Sequence, residues 1–157
     1  MEACQPCLVI GYGNTLRRDD GVGVEVAQAI EAMNLPGVTV ITRHQLVPEL
    51  AVPIAESRAV IFVDADPSVT EGPELRPIEA SESGQIMAHA ANPHSLLALA
   101  RDVFGGSPKA WSLAVPVEDF SYGVGLSHRS QMGLRAATRL VAEVVTRRRS
   151  AMARQER

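Results

Sequence analysis

The chain has 157 residues, 46% apolar and 21% charged, the balance of one ordinary globular domain. Its 15 basic and 18 acidic residues leave a net charge of −3, which argues against non-specific binding to nucleic acid or an anionic membrane, and 4% aromatics are too few for base-stacking platforms. No apolar run is long enough to span a bilayer, and an acid, two cysteines and a proline near the N-terminus do not make a signal peptide, so the expected location is the cytoplasm.

Leu8, Val9 and Ile10 form a short apolar run ending at Gly11 and predict a buried first strand. Just before it, Cys4 and Cys7 make a lone C-x-x-C with no second pair at zinc spacing, so Cys7 is expected as a buried strand residue and Cys4 as a free thiol. Residues 21–33 predict a helix, with Val22, Val26, Ala29, Ile30 and Met33 at helical spacing and Asn34 and Gly37 to close it. Residues 38–42 are β-branched and predict a strand, and 48–56 a weaker helix kinked or broken at Pro53.

The apolar run 59–63, ending at Asp64, predicts a central strand. A turn-rich loop follows, then residues 74–78 as an edge strand, because Pro77 cannot donate to a neighbour. Asn92 and Pro93 are a helix cap and first-turn proline, and that helix stops at Gly105 and Gly106. Residues 110–115 predict the last strand, and 127–148 a long helix with Leu134, Ala137, Leu140, Val141 and Val144 on one face. A single domain is expected over 1–148, with 149–157 a flexible basic tail. The alternation implies a three-layer α/β/α fold: an open, mostly parallel twisted sheet of about five strands with helices on both faces.

Ligands of such sheets sit beyond the carboxyl ends of the strands. The loop after strand one fails as a dinucleotide fingerprint. Gly11 and Gly13 fit G-x-G-x-x-G, but Leu16 stands at the third glycine, and two carboxylates near the helix start would repel a pyrophosphate. The acids themselves are better candidates. Asp20 precedes a helix and Asp64 ends a strand; singly each suits a cap or a turn, but together they enter one crevice if strands one and three are neighbours. An imidazole would complete a set suited to a borderline divalent ion such as nickel or zinc. His89 lies in the loop before the third helix, His94 in that helix's first turn and His44 after strand two, while His128 starts a helix and is expected in solvent. Position alone leaves His89 and His94 open.

The run Ile10-Gly11-Tyr12-Gly13-Asn14, with Leu16, Asp19-Asp20-Gly21 and Gly23, resembles the N-terminal signature of the nickel–iron hydrogenase maturation endopeptidases. Val63-Asp64-Ala65 resembles that family's second acidic position, and the stretch from His89 through Asn92-Pro93 to Leu96-Leu97 its histidine region. Trp111, Val115-Pro116 and Phe120 are similar but less diagnostic. The resemblance implies that Asp20, Asp64 and His89 are the catalytic and metal-contacting residues, with His94 as runner-up. It implies as substrate the precursor of a hydrogenase large subunit, with a C-terminal extension to be removed after nickel insertion. The nickel would be supplied transiently by the substrate, as recognition element, with no tightly bound cofactor. One departure is Arg43-His44-Gln45-Leu46, where many members carry an Asp-Gly-Gly-Thr-like turn; this form is similar to members serving soluble, cofactor-coupled hydrogenases. Two other classes compete: a small hydrolase or phosphorylase of a nucleoside-like ligand, and a non-enzymatic nickel chaperone, against which the 4 histidines without a His-rich tract count.

Overall fold

In a computed structural model, residues 7–82 and 91–155 are described. Five strands form one sheet: β1 (Cys7–Tyr12), β2 (Val38–Arg43), β3 (Ala59–Asp66), β4 (Glu74–Ile78) and β5 (Lys109–Pro116). Their order is β2-β1-β3-β5-β4, parallel except for β4, which runs antiparallel along the edge of β5. Four helices cover it: α1 (Val22–Ala32), the short α2 (Ala51–Ala55), α3 (Pro93–Phe104) and α4 (His128–Gln155). No helix among the described residues is long and apolar enough to cross a membrane.

Alternation along the strands divides the core in two. Val9, Ile61, Val63, Leu113 and Val115 pack under α1 and α4, through Val22, Val26 and Ile30 of the first and Ala137, Val141 and Val145 of the second. Leu8, Ile10, Val60 and Phe62 face the other way, against Leu50, Ala51 and Ile54 of the α2 region and Leu96, Leu97 and Ala100 of α3. The central strands are therefore buried on both faces, as a parallel sheet requires.

The structure departs from the sequence expectations in three places. β3 continues past residue 63 through Asp66, because β5 keeps pairing with it: Asp64 lies opposite Ala114, Ala65 opposite Val115 and Asp66 opposite Pro116. Pro53 does not break its helix, since it stands in the first turn of α2, where a missing N–H costs nothing; the discontinuity comes earlier, at a 3-10 turn over Pro48–Leu50. α4 runs beyond residue 148, where a loose tail is expected, to Gln155, through residues that are mostly good helix formers. α3 starts as predicted: Asn92 Oδ1 accepts from Ser95 N, and Ser95 Oγ accepts from Asn92 N, each at 2.9 Å.

Two glycines set how closely α1 approaches the sheet. A Cβ on Gly23 would lie 2.4 Å from the Val63 carbonyl oxygen and 2.8 Å from that of Tyr12; one on Gly11 would lie 2.1 Å from the Gly23 carbonyl oxygen. All three obstacles are backbone. Gly23→Ala should therefore lower stability by about 1–3 kcal/mol in urea melts, although alanine is intrinsically the better helix former. Gly72→Ala, with nothing within 4 Å of the added methyl, should stay within about 0.5 kcal/mol of the parent. Equal effects at the two sites would show that this close approach is not obligatory.

Candidate active site

The carboxyl ends of β1 and β3 are neighbours, with Gly11 opposite Val63. This is where the sequence places its two candidate acids. The loop after β1 turns sharply at Gly13, whose φ is 144° and where a Cβ would lie 1.9 Å from the Asp20 carbonyl oxygen. The loop folds back on its own acid: the Asn14 N–H donates to Asp20 Oδ2 at 2.8 Å, and Asn14 Oδ1 accepts from Leu16 N at 2.9 Å.

Asp64 rises from β3 two residues past Phe62, on the α2–α3 face, and is half-buried. The Tyr12 hydroxyl donates to its Oδ2 at 3.0 Å. Burial pushes the Asp64 carboxyl above the usual range; the Tyr12 hydroxyl and the Ala65 N–H oppose this, and the charges of Asp20 and Asp66 add to the rise. The Asp20 charge thus acts on Asp64 across the sheet edge. Tyr12 is itself pushed far above the ordinary phenol range, first by burial and then by the Asp64 charge and hydrogen bond, so it remains a neutral donor.

The histidines divide by position. His89 lies outside the described residues. His94 Nδ1 is 2.7 Å from the Glu79 carbonyl oxygen. Glu79 follows Ile78, which pairs with Ala110 at the level of Val60. Asp64 is four residues further along, about 13 Å at the rise of a strand, so the His94 ring is not brought to the acids. His44 is exposed at the carboxyl edge, just after Arg43, whose carbonyl accepts from Gly13 N at 3.2 Å. His128 opens α4 and is exposed. Among the described residues no group of three His, Cys, Asp or Glu is placed to hold a metal ion. Cys7 is half-buried, and burial, partly offset by Arg148, pushes its thiol up to about 11, which removes it as a nucleophile at neutral pH.

The sequence did not distinguish the job of Asp19. This residue is fully buried and accepts from Glu118 N and Asp119 N at 2.9 Å each, Ser127 N at 2.7 Å and Ser127 Oγ at 2.6 Å. Burial alone would raise its carboxyl; these donors, led by the Ser127 hydroxyl, outweigh it and hold the group below its usual value. It ties the loop after β1 to the loop after β5. The tie continues through Arg18 N to the Gly123 carbonyl at 3.1 Å and Gly123 N to the Leu16 carbonyl at 2.9 Å. All the donors to Asp19 lie about a hundred positions away, beyond the reach of any local pattern.

Asp19→Asn should lower stability by about 2–3 kcal/mol at pH 7, since either orientation of the amide turns a donor toward at least one of the N–H groups that point at the carboxylate. Because its folded pKa is depressed, the wild-type advantage is present above the unfolded value of about 3.9 and fades as pH falls through the folded one. Asp64→Asn should behave in the opposite sense. The raised Asp64 adds stability below the unfolded value and loses it as pH rises through the folded one, so the Asn variant should equal or exceed the parent at pH 7 and lose that gain below about pH 4. Urea melts at both pH values check both signs.

No protein-family model matches the chain, and no curated protein is similar enough in sequence to match. Solved structures do match. Hydrogenase 2 maturation peptidase from Thaumarchaeota archaeon SCGC_AB-539-E09 is 21% identical, covers 90% of this chain and 98% of its own, and superposes with a TM-score of 0.64. The hydrogenase maturating endopeptidase HybD from E. coli gives 23% identity, 90% and 93% coverage and a TM-score of 0.65. The [NiFe] hydrogenase maturation protease HycI from Thermococcus kodakarensis KOD1 gives 19%, 90% and 93%, and 0.67. The chain has the fold of the hydrogenase maturation proteases.

Proposed function

We propose that this protein is a cytoplasmic endopeptidase that removes the C-terminal extension of a nickel–iron hydrogenase large-subunit precursor after nickel insertion. The observation that carries this is that Asp20, in the loop after β1, and Asp64, near the end of the adjacent β3, both lie at the carboxyl edge of a fold shared with hydrogenase maturation proteases. A carboxylate whose proton affinity is raised by burial and by neighbouring negative charge, as that of Asp64 is, is relieved by a divalent cation beside it. Carboxylate oxygen, with imidazole from His89, suits nickel. The ion arrives with the substrate and docks the cleavage site on Asp20, Asp64 and His89.

Docked there, the substrate's nickel draws electron density from the scissile carbonyl. A carboxylate takes the proton of the attacking water, and that proton is returned to the departing amine. One water is consumed, and a shortened subunit and a free peptide leave.

Mass spectrometry of a precursor large subunit incubated with the protein tests this. The nickel-loaded precursor should lose a defined C-terminal peptide and the unloaded one should stay intact. Asp20→Asn and Asp64→Asn should each slow processing about 100-fold or more while keeping the wild-type circular dichroism spectrum. Equal cleavage of loaded and unloaded precursor would overturn nickel recognition, and a fully active Asp20→Asn would remove that residue from the mechanism.

A further inference from the structure

The last residue of β1 touches Asp64 and has no part in the chemistry above. Tyr12 lies two residues past Ile10, as Asp64 lies two past Phe62, and Ile10 pairs with Phe62. The two side chains therefore rise side by side on the α2–α3 face. The Tyr12 ring is half-buried and packs against the core cluster on that face, so the hydroxyl reaches Asp64 from a fixed base. It donates to Oδ2 at 3.0 Å.

We infer that Tyr12 is a positioning residue that limits Asp64 to one-oxygen contact with the substrate's metal ion. This rests on the assignment of Asp64 made above. A free carboxylate beside a divalent cation swings between one- and two-oxygen contact. A donor held on Oδ2 opposes the second contact and turns Oδ1 toward the ion. The coordination position so spared is open to the scissile carbonyl, whose polarisation needs it. Partners of this kind orient metal-contacting side chains, and their loss costs about tenfold or more in affinity or activity.

The test is a double-mutant cycle read by single-turnover cleavage of nickel-loaded precursor, with the protein in excess so that slow variants remain measurable. Tyr12→Phe keeps the ring and its packing and removes only the donor. It should cut the rate about tenfold with an unchanged melting temperature. In an Asp64→Glu background, whose longer side chain carries the carboxylate away from the hydroxyl, the same substitution should cost less than about twofold. Equal losses in the two backgrounds would assign Tyr12 a role independent of Asp64 and overturn the inference. So would an undiminished rate for Tyr12→Phe when Asp64→Asn is inactive, and in that case the assignment of Asp64 would stand. Normal cleavage by Asp64→Asn would remove that assignment and this inference together.

Discussion

The carboxyl edge of this sheet is organised by how near one helix comes to it. With no side chain at Gly23 or Gly11, the first turn of α1 lies in backbone contact with the ends of β1 and β3. A helix held off by even one methyl group would lift its preceding loop away from the strand that bears Asp64. Gly11, which fits the start of a dinucleotide fingerprint on paper, thus serves a steric purpose. With Gly23 it keeps the start of α1, and the Asp20 loop before it, close to the ends of β1 and β3.

Adjacent residues of identical chemistry are then separated by their surroundings. A carboxylate offers about four lone-pair sites. Asp19 takes four donors from a single distant loop, three on Oδ2 and one on Oδ1, which hold it as an anion. Asp20 and Asp64 each accept one hydrogen bond from the described residues, from Asn14 N and the Tyr12 hydroxyl. The saturated acid is a fastener, and the two unsaturated ones retain the oxygens that a cation would use. This count separates Asp19 from the two candidate acids better than burial does, because Asp64 is itself half-buried.

Periodicity and turn chemistry made most of this fold legible from sequence. The four parallel strands appear as short apolar runs, and Pro77 marked β4 as an edge, where it pairs with Trp111 on its single neighbour. The end of β3 was misjudged because Asp64, Ala65 and Asp66 do not look like a strand; their order comes from β5, which no local window contains. The candidate acids stood out in the sequence because each follows an apolar strand, and those strands are neighbours in the sheet. The anchoring of Asp19 was not legible, nor was the Tyr12 contact, because each depends on a partner at least fifty positions away. His94, which position alone left open beside His89, is turned toward the Glu79 carbonyl, a fact of side-chain direction that spacing does not encode.

α4 joins the two ends of the molecule. Its start is fastened to the acid-bearing loop through Ser127 and Asp19, and at its far end the Arg148 guanidinium stacks 4.9 Å from the Trp111 ring, near the start of β5. The 28 residues of the helix span about 42 Å, so Gln155 projects beyond the opposite rim of the sheet. An affinity handle or fluorophore attached past that residue would stand clear of any bulky protein seated on the acidic edge. The molecule can therefore be immobilised through this arm with its working surface facing outward.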